Sequence, residues 1–255
     1  MKQMLIPLAL TALAGRAWAD EKDDLVGAAK KTAETKNYSF KGQSQVELPA
    51  LGGAVGGPQV SKFEGKFDAT EGTYILTDAQ EIVRIDAKTA IRPRGEWRVL
   101  DESARGAGGG RIPGRMAGML GGLRPPRAPH EELKDFGSTI EKVSSTGSKE
   151  TVGESECTVL AFDLTEEGAK ASFPLGGMLG RFGGGNVDSK FKGKGKAWIA
   201  DGALVKIETT ATLSASFNNN DFEVTSARTT SIFDVGKTKV VIPEDARKAI
   251  KAKTD

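Results

Sequence analysis

Apolar and polar residues alternate along most of the chain. The period is two in YSFKGQSQVEL (38–48), VSKFEGKFDA (60–69), GTYILTD (72–78) and QEIVRID (80–86), and Gly, Pro and Asp separate these runs. Such alternation bounded by turn formers predicts half-buried strands, and their close succession predicts antiparallel meander pairing. In the long run ALVKIETTATLSASF (203–217), Val205, Ile207, Ala211, Leu213, Ala215 and Phe217 share one parity, while Lys206, Glu208, Thr210, Thr212, Ser214 and Ser216 share the other. One face is therefore expected to be buried and the other wet. NNND at 218–221 supplies a turn, and FEVTSARTTSIFDV (222–235) returns as the hairpin partner. Its apolar parity changes between Phe222/Val224 and Phe233/Val235, which predicts a bulge or strong bend near Ala227 and a curved sheet.

Four segments carry the helical period instead. Residues 20–36 begin acidic, end basic and space Leu25, Ala28, Ala29 and Ala33 along one face. EELKDFGSTIEKVSS (131–145) places Leu133, Phe136, Ile140 and Val143 at helical spacing, and TEEGAKASF (165–173) starts on a cap-like Thr165. Pro243 opens a short terminal helix with acids first and bases last. The expected class is mainly β (α+β): a single curved antiparallel sheet with an N-terminal helix, one or two covering helices and a short C-terminal helix.

The first residues change the picture of charge. MKQMLIPLALTALAGRAWAD has Lys2, an apolar stretch and Ala17-Trp18-Ala19 before Asp20, the pattern of a secretory signal peptide too short for a stable anchor. Cleavage near Ala19/Asp20 makes residues 1–19 the signal peptide and 20–255 one domain, soluble and periplasmic or secreted. It removes Lys2 and Arg16, leaving 34 basic residues against 34 acidic ones. Net charge then gives no case for a nucleic-acid partner. The single cysteine, Cys157, has no partner for an internal disulfide and reads as a small buried residue.

Three Gly-rich inserts break the strands, at 49–58, 104–129 and 173–185, and GMLG occurs at both 118–121 and 177–180. The middle insert holds five arginines and no acid, together with Met116, Met119, Leu120 and Leu123. Loops of that length inside a domain are usually functional or disordered, and disordered linkers are poor in large apolar residues. Glycine mixed with Met and Leu suits a surface that adapts to an irregular apolar ligand. A surface loop without a ligand is the competing reading.

Lys190, Lys192, Lys194 and Lys196 alternate in KFKGKGK, where lysines that protect an edge strand are the plainer explanation. Trp198 shares their parity. No catalytic motif emerges. The only histidine, His130, is followed by Glu131 and Glu132, but Lys134 breaks the two-histidine zinc pattern, and solvated surface is the expectation for it. VGKT at 235–238 follows Ser231 where a phosphate loop needs glycine. No catalytic residue, metal or cofactor is assigned, and a hydrolase using a carboxylate pair is the least favoured reading.

YSFKGQSQV, EIVRIDAKTAIRPRGEWRVL (81–100), KETVGESECTVLAFDLTEEGAKA (149–171), GKAWIADGALVKIETTATLSA (195–215) and IFDVGKTKVVIPEDARKAI (232–250) together resemble, in their order, the periplasmic lipoprotein-carrier superfamily. That group includes the LolA and LolB carriers and the LppX-type lipid binders. The resemblance implies a half-barrel whose concave apolar face receives acyl chains. No lipidation cysteine follows the signal peptide, and the Gly-rich inserts lie outside the matched pattern.

The functional expectation is an exported, non-enzymatic, monomeric carrier or sensor that holds a lipid, or the acyl chains of a lipidated protein, under lids, with transient contact to a membrane surface. Lid contacts are expected from Met116, Met119, Leu120, Leu123, Leu175, Met178, Leu179 and Phe182, cavity walls from Trp97 and Trp198, and headgroup contacts from Arg111, Arg115 and Arg124. The alternative is an envelope protein-interaction domain whose core is filled by its own side chains.

Overall fold

The computed structural model of the chain describes residues 11–48, 57–93, 95–100, 126–173, 189–217 and 220–252. Helix α1 (Thr11–Ala33) leads into β1 (Asn37–Leu48), β2 (Gly57–Asp68), β3 (Gly72–Thr77), β4 (Glu81–Ile85), β5 (Lys88–Arg92) and β6 (Arg98–Leu100). Two short helices, α2 (Pro129–Leu133) and α3 (Phe136–Thr139), precede β7 (Ile140–Val152) and β8 (Ser155–Leu164). Helix α4 (Glu166–Ser172) is followed by β9 (Ser189–Ala200), β10 (Ala203–Phe217), β11 (Asn220–Phe233) and α5 (Glu244–Ala252). The strands form one open antiparallel half-barrel sheet in the order β6-β5-β4-β3-β2-β1-β11-β10-β9-β8-β7. Two meanders are thus joined where the first strand pairs with the last.

Register sorts the side chains between two faces. Tyr38, Phe40, Phe63, Ile75, Ile82, Phe162, Phe191, Leu213 and Ile232 are buried on the inner face, in a core shared with Leu25, Ala28 and Ala29 of α1, Leu133 of α2, Phe136 of α3 and Ala169 of α4. The outer face carries two smaller cores. One puts Val83 and Ala90 against Val240, Ile242, Ala246 and Ile250 beneath α5, and the other gathers Cys157, Val159, Trp198 and Ala200. Cys157 is buried, as its sequence suggested.

Several sequence expectations need correction, and β-bulges explain two of them. The helix expected over 131–145 is instead α2, α3 and the start of β7. Register shifts between Ile140 and Lys142, so Ile140 and Val143 point to the same face of a strand three residues apart, which imitates helical spacing. In β10 the register shifts between Leu204 and Lys206. Leu204 therefore joins the inner core while Val205 packs with the outer cluster around Trp198, opposite to the parity of Ile207. The bulge expected near Ala227 is not there, since Ala227 pairs in unbroken register with Gln45 and Thr210. Val224, Ser226, Thr230 and Ile232 are buried at one parity, and Phe233 and Val235 are exposed.

Side chains fix the helices to this frame. Thr165 accepts from the Gly168 N–H at 3.0 Å and caps α4 as expected. Thr32 of α1 accepts from the Leu204 N–H at 2.9 Å, supplying a partner for a backbone donor beside the β10 bulge. Lys22 donates to the Ile140 carbonyl at 2.8 Å and Lys31 to the Asp201 carbonyl at 2.6 Å.

Candidate functional site

The inner face divides into two ends. At one end, aromatic rings lie on glycines of the neighbouring strand. Phe40 covers Gly65 and Phe63 covers Gly42 across the β1–β2 ladder, and a Cβ on Gly65 would stand 2.4 Å from the Phe40 ring. Phe162 covers Gly195 in the same way across β8–β9, with the Cβ position 2.3 Å from the ring and 2.3 Å from the Glu208 carbonyl oxygen. The glycines are therefore spatial requirements, and the rings fill the space that side chains would take.

A polar latch closes this end. Arg228 of β11 projects from the inner face over the Phe63 ring at 4.9 Å and pairs with Glu132 of α2, while its Nη2 donates to the Arg127 carbonyl at 3.1 Å. Arg84 of β4 pairs with Glu131 at 2.6 Å. Tyr38 of β1 takes the third hold: its hydroxyl accepts from the His130 N–H at 2.8 Å and lies 2.8 Å from His130 Nδ1. The imidazole tautomer decides which of the two, the Tyr38 hydroxyl or Nδ1, is the donor of that second bond. Strands β1, β4 and β11 thereby pin one short helix.

Burial sets the protonation states here. Burial and the nearby Arg84 charge lower His130 to about 4, so its ring is neutral at physiological pH. Burial raises the Tyr38 hydroxyl well above the ordinary phenol range. Burial also raises Glu132, against the opposing pull of Arg228. His130 corrects the expectation of a solvated surface residue: it stacks on Phe67 with ring centres 3.7 Å apart. The arginine partners of its acidic neighbours come from distant strands.

The other end lies where β1 joins β2, α4 joins β9 and β10 joins β11, and is lined by Val46, Phe191, Leu213, Ala215 and Val224. These residues are aliphatic or aromatic and buried. Among the described helices, α1, α3 and α4 pack mainly on β7–β10, and α5 packs on β5 and β6. Three chain segments outside the described residues, 49–56, 174–188 and 218–219, leave and rejoin the sheet at this end.

The proposed lid residues Met116, Met119, Leu120, Leu123, Leu175, Met178, Leu179 and Phe182, and the headgroup arginines Arg111, Arg115 and Arg124, lie outside the described residues. The last part of the middle insert is described: Ala128 and Pro129 are buried against the inner core and lead into the latched helix. Both proposed wall residues belong to the outer face. Trp97 packs with the α5 cluster, with Arg92 5.0 Å above its ring. Trp198 donates to Glu150 at 2.9 Å and lies 4.1 Å beneath the Lys206 ammonium. Neither walls the inner face: Trp198 sits on the outer parity of β9, and Trp97, just before β6, packs beneath α5.

Among the described residues no cluster of His, Cys, Asp and Glu has the arrangement to hold a metal ion, and no helix is long and apolar enough to cross a membrane. No protein-family model matches the chain, and no curated protein matches it significantly. Among solved structures it is similar to LprF from Mycobacterium bovis, at 10% identity and a TM-score of 0.48, over 89% of this chain and 98% of that one. It is also similar to a DUF1329 family protein from Desulfovibrio piger, at 9% identity and a TM-score of 0.32, over 88% of this chain and 95% of that one. Both scores fall below 0.5.

Proposed function

We propose that the protein is an exported carrier or sensor that holds the acyl chains of a lipid, or of a lipidated protein, at the loop end of the inner face. The observation that carries this reading is the contrast within that face: rings and ion pairs fill the latch end, whereas Val46, Phe191, Leu213, Ala215 and Val224 line the end where the Gly-rich segments 49–58 and 173–185 meet the fold. Burying about ten methylenes at ~0.8 kcal/mol each gives ~8 kcal/mol, the scale of micromolar binding, without covalent chemistry. Lid contacts from Met116, Met119, Leu120, Leu123, Leu175, Met178, Leu179 and Phe182, and headgroup contacts from Arg111, Arg115 and Arg124, belong to this proposal. So does cleavage near Ala19/Asp20; every α1 contact named above lies after it.

Native mass spectrometry of protein purified from its host's envelope, followed by organic extraction, tests the reading. The expected result is a stoichiometric lipid that is lost when Met119→Asp and Met178→Asp are combined. A lipid-free mass, with no uptake of offered lipids, would overturn it. The self-filled latch end supports a second reading, a non-enzymatic envelope domain that binds a protein partner, and that reading expects the lipid-free result.

A further inference from the structure

The lysines of β9 do not protect an edge. That strand lies between β8 and β10, in the interior of the sheet. Lys190, Lys192, Lys194 and Lys196 are all exposed on its outer face, with Trp198 buried beyond them. Alternate residues of a strand stand about 6.7 Å apart, so the row extends over about 20 Å. None of the four makes an ion pair with a described residue, and the nearby Glu208 is engaged by Lys206 at 2.7 Å. On β10 their lateral neighbours are mostly short hydroxyl residues, Ser214, Thr212 and Thr210. On β8, Ala161 stands opposite Lys196 and Asp163 opposite Lys194.

Four unpaired cations in the middle of a sheet repel one another and do nothing for the core, which lies on the other face. Their arrangement suits an external anion. The positive surface also has width. Lys142 of β7 and Lys194 and Lys196 of β9 line a hollow of about 340 Å³, in which Asp163 and Glu208 are the only acids. We propose that this outer face, centred on the β9 lysines, is a docking surface for an anionic phospholipid bilayer. A row with width complements a charged plane better than a single extended chain. The row also begins one residue past Ser189, where β9 starts at the loop end of the sheet, so a docked face brings the apolar end to the border of the bilayer. The proposal deepens the acyl-carrier reading and rests on it for the reason to meet a membrane.

Sedimentation of the mature protein with phosphatidylcholine vesicles, with and without phosphatidylglycerol, tests it. Binding is expected only with phosphatidylglycerol, and it should weaken as salt rises. The Lys192→Gln/Lys194→Gln double variant should bind about 25-fold more weakly, from the usual contribution of a lysine near an anionic surface. Lys30→Gln/Lys170→Gln removes the same charge from exposed positions on α1 and α4, on the other side of the sheet, and should change binding by less than about 3-fold. Equal losses in the two double variants, or none in the first, would overturn the proposal. Row-dependent binding of soluble heparin in place of vesicles would also overturn it and mark a polyanion site. Native spectra of the same samples separate the two ideas: failed docking with bound lipid retained removes this surface alone, and row-dependent docking by lipid-free protein removes the carrier reading alone.

Discussion

Around Gly42 and Gly65 the inner face is filled by Phe63 and Phe40, and Arg228 with Glu132 closes it over. Toward Val46 and Ala215 the same continuous ladders present Leu213, Val224 and Phe191, beside segments that lie outside the described residues. One sheet thus contains an end closed by described rings and ion pairs and an end bordered by segments outside the described residues. Under the carrier proposal, the difference separates the end that closes the fold from the end that meets the ligand.

The largest effect expected is at the filled end. Gly195→Val drives a side chain into both the Phe162 ring and the Glu208 carbonyl and should cost about 3 kcal/mol in chemical denaturation. A cost below about 1 kcal/mol would show that this end is loosely packed. Arg228→Met leaves Glu132 without its cation and should cost about 2 kcal/mol, discounted because both side chains are partly exposed. Adding Glu132→Met should restore part of that loss.

A pH effect of intermediate size belongs to His130. Its folded value of about 4 lies below the ordinary 6.5, so its contribution is present above pH 6.5 and is lost as pH falls through the interval down to about 4. The slope of stability against pH in that window should flatten in His130→Phe. An unchanged slope would assign the acid sensitivity to other groups. Smallest in stability but sharpest for the comparison is Ala215→Trp at the loop end. If space there is kept for a ligand, the change should cost under about 1 kcal/mol and abolish lipid retention; a cost of about 1–3 kcal/mol with no lipid to lose would mean that this end is self-filled too.

The antiparallel meander, the β10–β11 hairpin, the Thr165 cap and the terminal helices were legible because local alternation and capping chemistry act over a few residues. Val143 and Val205 were misread because a bulge moves one residue across the sheet and leaves no sign in composition. His130, Glu131 and Glu132 could not be read as a latch because Tyr38, Arg84 and Arg228 meet them only through pairing across the fold. The β9 lysines were visible, but their central position was not, since strand order is set by which meander edges meet. Trp97 and Trp198 illustrate the same limit, because parity tells which residues share a face and not which face is covered.

The pairing of β1 with β11 also has a kinetic side. Each meander is built from neighbours in sequence, but the seam between them brings Ser39 to Phe233 and Gly42 to Thr230. Ladders joining distant segments form slowly, because the loop entropy is lost before the contacts form. The first strand must wait for the last one to be synthesised, so a nascent chain lacks its central seam until synthesis is nearly complete. A polypeptide joined in this way commits to its full sheet only after both meanders exist.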